Sequence, residues 1–311
     1  MRNIFGPVAS RRLGLSLGVD LVPHKTCTLD CIYCECGRTT RFLSEPVLLN
    51  RAEAVLAELA QVLEGRQERL DFVTLSGAGE PTLNLELGKI VKGIKEMTSV
   101  RTAVITNSTL LHLPEVRQAL TRVDLIMPSL DSALEKTFGR INRPRPGLTL
   151  ENVLKGLYLL RREFKGEIWL EILLVAGIND APAELEALAR EVRKIQPDRV
   201  QLNTVDRPPP EEGVRPVGYE RLLELRALFE PQAEVIAKPK AAFKPASQKA
   251  LEEDILVVID RRPSTVEDLS TALGREVGEI ESILKVLMVK GRVRPEPMGG
   301  KVFMRGIIEE G

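Results

Sequence analysis

The chain of 311 residues predicts an α/β fold, a partial (β/α)6 barrel followed by a small C-terminal domain. Three observations carry that prediction. Short apolar, β-branched segments alternate with longer segments of helical period, as repeated βα units around a parallel sheet require. Six such units can be read in the sequence, which suits an open, partial barrel better than a closed one. Near residue 236 the alternation stops in "AKPKAAFKPAS", whose proline, alanine and lysine have the composition of a linker.

The elements follow in order. Strands are predicted at 15–22 ("LSLGVDLV"), 71–77 ("DFVTLSG"), 101–107 ("RTAVITN"), 123–130 ("VDLIMPSL"), 167–175 ("EIWLEILLV") and 199–205 ("RVQLNTV"). Helices fill the intervals: "RAEAVLAELAQVLEG", "LELGKIVKGIKEM", "LPEVRQAL", "LENVLKGLYLLRREF" and "APAELEALAREVRKI", with "GYERLLELRALF" after the last strand. These segments make a domain of residues 1–236, joined by a linker at 237–249 to a second domain at 250–311.

In the second domain "QKALEEDILVVIDRR", "STVEDLSTAL" and "EVGEIESILKVLMVKG" read as three helices, the second opened by a Ser or Thr cap with an acid three residues on. "RVRPEPMGGKVFMRG" reads as two short strands about a glycine turn. The set resembles a winged helix, so the full expectation is a partial barrel with a small C-terminal winged-helix-like domain. Its charges oppose DNA binding. The presumed recognition helix carries Glu276, Glu279 and Glu281, which repel phosphate, and only the hairpin is basic, at Arg292, Arg294, Lys301 and Arg305. Strong DNA binding is not expected; a substrate or partner module is, with RNA contact through the hairpin as a second reading.

Composition sets the outer bounds. With 43% hydrophobic and 28% charged residues, the chain has material for a full core and is not disordered. "MRNIFGPVASRR" lacks the apolar run of a signal peptide, and no segment has the uninterrupted length needed to cross a bilayer, so a cytoplasmic protein without membrane association is expected. Lys plus Arg (44) equal Asp plus Glu (44), leaving no overall field to draw the chain to nucleic acid.

All four cysteines fall within "HKTCTLDCIYCECGRTT", residues 24–40. In a reducing compartment such crowding points to metal binding or reactivity, not disulfides. Cys27, Cys31 and Cys34 make C-x3-C-x2-C, with Cys36 two residues on. A structural zinc usually takes two separated C-x2-C knuckles; the second is missing, although Cys36 or His24 could be recruited. A 4Fe-4S cluster held by three thiolates leaves one iron open to a ligand that is not protein. His112 and His24 otherwise invite no metal assignment, and Lys25 defaults to solvent.

"CTLDCIYC", with the aromatic Tyr33 before its third cysteine, resembles the signature loop of the radical S-adenosylmethionine (SAM) superfamily. The resemblance implies that Cys27, Cys31 and Cys34 hold a 4Fe-4S cluster, that the open iron takes the amino and carboxylate groups of SAM, and that reductive cleavage of SAM yields methionine and a 5′-deoxyadenosyl radical that abstracts hydrogen from substrate. It also implies an electron donor of flavodoxin or ferredoxin type. The wider string "FGPVASRRLGLSLGVDLVPHKTC" to "CGRTT" resembles bacterial and archaeal proteins grouped with wyosine-tRNA-synthesising radical SAM enzymes. Those enzymes carry an additional cysteine-bound cluster, and no cysteines remain here for one, so the substrate stays open among a nucleotide, an RNA, a peptide and a small metabolite. Cys36 reads either as a spare thiol or as a redox group, the spare thiol being the commoner fate.

Ligands of such folds gather at the carboxyl ends of the strands, and the remaining candidates lie there. "SGAGEPTL" places Gly77, Gly79 and Glu80 after the second strand and resembles the superfamily's glycine-glycine-glutamate element for the SAM amino group; a tight turn before a helix is the structural alternative. Asn107, Ser129 and Asp131 stand where ribose hydroxyls would bind, or cap helices. Arg143 matches a carboxylate by paired hydrogen bonds. Gly177 permits backbone approach to a flat ring, with Asn179 and Asp180 fitting an ordinary turn. Asn203, Asp206 and Arg207 face substrate or belong to a rigid, proline-fixed exit loop. A redox-sensing iron-sulfur transcription regulator is the competing function, resting on the C-terminal domain alone.

Overall fold

The computed structural model describes residues 3–65, 69–236 and 248–307. It opens with β1 (Ile4–Ser10) and β2 (Gly14–Val19), an antiparallel pair. A short parallel pair, β3 (Thr26–Cys27) with β4 (Arg41–Phe42), closes the base of the cysteine loop. Then follow α1 (Ala52–Glu64), β5 (Phe72–Leu75), α2 (Leu87–Met97), β6 (Arg101–Thr106), α3 (Pro114–Ala119), β7 (Leu125–Pro128), α4 (Glu135–Ile141), α5 (Leu150–Glu163), β8 (Glu167–Leu174), α6 (Pro182–Ile195), β9 (Arg199–Thr204), α7 (Tyr219–Leu225) and β10 (Glu234–Val235).

The main sheet has eight strands in the order β1-β2-β5-β6-β7-β8-β9-β10, and every neighbouring pair from β2 onward is parallel. Chain order and spatial order coincide. Each crossover therefore steps the same way, and with the usual right-handed connection the helices gather on one face while the sheet curls around the other. Both faces are buried, which is why the strands read as near-continuous apolar runs. Val73, Leu75, Val104, Ile126, Leu170 and Leu202 join the core under the helices, while the alternate residues Phe72, Ala103, Leu125, Met127 and Trp169 form a second cluster inside the curl.

All six predicted strands are present, and the edge strands β1 and β10 are additions to the main sheet. The Gly-Pro pair of β1 hides it in the sequence, because proline inside an apolar run belongs to an edge strand or a bulge. The structure has both: β1 is an edge, and its register shifts between Phe5 and Val8. The helices dock by ordinary amphipathic spacing, as in α2, where Leu87, Ile90, Val91 and Ile94 are buried.

The C-terminal domain contains α8 (Gln248–Arg261), α9 (Val266–Leu273), α10 (Val277–Val289) and the antiparallel pair β11 (Val293–Met298) and β12 (Lys301–Gly306). It has its own core, built from Leu251, Ile255, Leu269, Ile280, Leu284 and Leu287. A capping box between Thr265 and Asp268 starts α9, and Gly274 in the left-handed region ends it. Helix α8 begins at Gln248, the first residue of the predicted helical segment, and residues 237–247, where the linker is expected, lie outside the described residues. The domain packs on β1: Val8 leans on its core, and the Arg261 guanidinium lies 4.2 Å from the centre of the Phe5 ring. Among the described residues no helix is long and apolar enough to cross a membrane.

Candidate cofactor site

The cysteine loop leaves the carboxyl end of β2, and its four thiols are free and half-buried. Three sulfurs each meet one N–H donor from a different place. Lys25 Nζ donates to Cys34 Sγ at 3.2 Å, Asn107 Nδ2 to Cys27 Sγ at 3.4 Å, and Asn142 Nδ2 to Cys31 Sγ at 3.4 Å. Lys25 corrects the expectation of an exposed side chain: it is 4% exposed, because its backbone is tied to Ala78, Thr40 and Arg41 and its ammonium has a sulfur to face. Burial pushes the Cys27 thiol up to about 11 and Cys31 well above its ordinary value. Cys34 goes the other way. A hydrogen bond from Cys36, against the cost of burial and helped by the Lys25 ammonium, holds it at about 6, while Cys36 keeps its proton.

The turn after β5 is locked against this loop. Lys25 N donates to Ala78 O at 2.7 Å, and Glu80 N donates to Thr26 O at 3.1 Å. That contact explains the glycines. A Cβ on Gly79 would stand 2.2 Å from Thr26 O, and one on Gly77 would stand 2.1 Å from the carboxylate carbon of Asp20. Glu80 is 2% exposed. Its Oε1 accepts from Thr82 N (3.1 Å), Thr82 Oγ1 (2.6 Å) and Thr106 Oγ1 (2.7 Å), and its Oε2 from Asn107 N at 2.7 Å. Glu80 thus joins the ends of β5 and β6, and Oε2 retains one acceptor position.

A cleft beside the sulfurs is lined by Tyr33, Asn107, Ser129, Asp131 and Asn142, with Leu29 and Phe138 as its apolar walls. Four residues singled out in the sequence thereby meet in one place. Asp131 is occupied from within: its Oδ2 accepts from the Tyr33 hydroxyl and from Asn142 Nδ2 (2.8 Å), and its Oδ1 accepts from Leu173 N at 3.0 Å. Asn142 was not foreseen. As the C-cap of a short helix, in "GRINRP", it carries no signal that separates it from any other cap. Its Oδ1 is buried without a hydrogen-bond partner, on a residue that lines the cleft and whose Nδ2 bonds the Cys31 sulfur. Soft donors for iron and an orphan acceptor for a bound donor are together what a three-thiolate cluster carrying an amino-acid ligand needs.

The other candidates lie outside this cleft. Arg143, in the left-handed region at φ 45°, donates from Nη1 to Glu211 Oε2 at 2.8 Å, and Arg38 pairs with the same carboxylate. Gly177, at φ 72°, sits in the turn after β8 and donates to Asp180 Oδ1 at 2.8 Å, while Asn179 is buried within the same turn. Asn203 Nδ2 donates to Glu171 Oε1 at 2.8 Å, and Glu171 also pairs with Arg12, so this group lines the inside of the curl near β8 and β9. Asp206 binds Arg11 at 2.8 Å. Arg207 points away from the sheet interior, toward the cysteine loop and the C-terminal domain.

The Radical SAM superfamily profile matches residues 21–192. The chain is 36% identical over 302 residues to a Brachyspira hyodysenteriae protein named GTPase Obg, covering 96% of this chain but 44% of that protein's length. To the UPF0026 protein MJ1312 of Methanocaldococcus jannaschii it is 31% identical, over 97% of this chain and 95% of that one. A Synechocystis protein, "Probable dual-specificity RNA methyltransferase RlmN", is 25% identical over 73% of this chain and 62% of its own. Among solved structures, a radical SAM methyltransferase from Sphaerobacter thermophilus superposes with a TM-score of 0.55 at 20% identity, over 71% of this chain and 65% of that one. That likeness is one of fold.

Proposed function

Because the chain belongs to the radical SAM superfamily, and to the UPF0026 proteins within it, we propose that this radical SAM enzyme carries one 4Fe-4S cluster on Cys27, Cys31 and Cys34 and binds SAM in the adjoining cleft. Members of the superfamily use these two cofactors. Bound together they supply reductive cleavage of SAM and a radical able to take hydrogen from an unreactive carbon. The observation that carries the reading is three sulfurs, each with its own side-chain N–H donor, two of those donors, Asn107 and Asn142, also lining the cleft at the ends of β6 and β7.

The chain's own residues divide the remaining work. Asn107 and Asn142 orient sulfurs with their amide N–H groups and line the cleft; Glu80 sets the spacing of the strand ends and offers Oε2 to an ammonium. Asn107 and Ser129, which line the cleft, are the groups that would hold ribose hydroxyls. Tyr33, pinned by Asp131, forms a wall. Arg143, held through Nη1 by Glu211, keeps further guanidinium N–H donors with which to meet a carboxylate. The substrate is a nucleotide or an RNA base, a class supported by the RNA methyltransferase name of the Synechocystis relative, and the reductant is a flavodoxin or ferredoxin. The regulator reading is not favoured: it leaves the cleft without a task, and α10 presents acids.

Anaerobic reconstitution tests the ligand set. The wild-type chain takes up about four irons and four sulfides; alanine at Cys27, Cys31 or Cys34 abolishes that uptake, and alanine at Cys36 leaves it. Iron lost from the Cys36 variant and kept by the Cys27 variant contradicts the assignment.

A further inference from the structure

Arg207 is 4% exposed and joins three parts of the molecule. Its Nη1 donates to both carboxylate oxygens of Glu35 at 3.2 Å, and Glu35 stands between Cys34 and Cys36. Its Nη2 lies 3.7 Å from Oδ2 of Asp268 in α9. The next residue in the chain, Pro208, accepts from Arg305 Nη2 of β12 at 3.1 Å. At the other end of the hairpin, Met298 packs against the apolar cluster that contains Ile32 of the cysteine loop. The C-terminal domain therefore grips both the exit loop of β9 and the loop that bears the thiols. From within, the turn at 34–37 is held by Gly37 N donating to Cys34 O at 3.0 Å, so its outer side depends on the Glu35 contact.

We infer that Arg207 is a positioning residue, the group through which the C-terminal domain holds the Cys34–Cys36 turn in register with the cluster site. This rests on the reading of Cys27, Cys31 and Cys34 as cluster ligands. A buried guanidinium held among Glu35, Asp206 and Asp268 has little freedom, because losing either Glu35 or Asp268 weakens the compensation of a charge kept from water. Anything that shifts α9 is then felt by Glu35, and through it by the cluster. The domain acts as part of the active-site frame, whatever else it binds.

Hydrogen exchange of the full chain, with and without the reconstituted cluster, reads the proposal directly, and the cluster's midpoint potential reads it independently. In Arg207→Met, amides of residues 28–38 exchange faster by on the order of tenfold or more while the strands of the sheet keep wild-type protection. The potential becomes more negative, since one of the cations facing Glu35 is lost beside the cluster while Arg262 and Arg11 remain. Glu35→Gln combined with Arg207→Met restores the potential but not the protection. Asp268→Asn, which touches no cysteine-loop residue and keeps the α9 cap, speeds exchange of the same segment. Wild-type exchange and potential in Arg207→Met, or exchange raised equally across the whole sheet, overturns the inference. Absence of iron uptake by the wild-type chain contradicts the cluster reading instead, and exchange in the apoprotein still decides the role of Arg207.

Discussion

Glu80 shows how one side chain serves fold and chemistry together. Replacing it with alanine removes the acceptor of four hydrogen bonds and leaves buried N–H and O–H groups of Thr82, Thr106 and Asn107 unsatisfied, at a cost of about 3 kcal/mol or more. Such a variant confuses folding with binding. Glu80→Gln is the milder test, since Oε1 can keep its three donors while the amide NH2 in place of Oε2 no longer accepts from Asn107 N or from an ammonium. The expected outcome is cluster absorbance at wild-type strength with SAM binding, measured by equilibrium dialysis, weaker by roughly ten- to a hundredfold.

His24 supplies a second prediction at this scale. Burial first, then the nearby charges of Lys25 and Arg261, hold its pKa down at about 4, and its Nδ1 has no partner. In the unfolded chain it titrates near 6.5. The unfolded state therefore binds more protons between those values, and the stability contributed by neutral His24 is present above about 6.5 and lost as pH falls toward 4. Thermal unfolding of the apoprotein should show a midpoint declining through that window, with the decline reduced in His24→Gln.

At the scale of elements, the glycines after β5 and β8 make opposite predictions. Gly79 is required by contact: its Cβ would meet backbone at Thr26, so Gly79→Ala displaces the turn or the cysteine loop, lowering the thermal midpoint and iron uptake together. Gly177 is required only by its φ of 72°, with nothing near its Cβ, so Gly177→Ala costs about 1 kcal/mol and leaves iron uptake unchanged. Calorimetry with iron analysis separates the two.

The parallel strands were legible in the sequence because burial on both faces makes them apolar runs, and the thiols because their spacing is short-range. β1 was hidden by its proline, and Lys25 and Asn142 by the fact that their roles depend on contacts between distant segments. "INRP" carries no trace of the sulfur that Asn142 meets, since Cys31 lies far back in the chain.

At the scale of the whole molecule, the domain boundary is less sharp than composition implies. The C-terminal domain has a core of its own, yet Arg261 stacks on Phe5, Arg207 binds Asp268 and Met298 enters the apolar cluster around Ile32. Composition separated the domains because local patterns end near residue 236, and it was silent on docking because docking depends on single buried charges.

The central claim is that the cleft beside Cys27, Cys31 and Cys34 binds and cleaves SAM. Chromatographic quantification of 5′-deoxyadenosine, formed by the fully reconstituted chain with dithionite or reduced flavodoxin and no added substrate, tests it most directly. Slow release of 5′-deoxyadenosine with methionine in equal amount is expected, abolished by alanine at Cys31; a chain that holds its cluster, is reduced by these donors and forms no 5′-deoxyadenosine does not bind SAM for cleavage there.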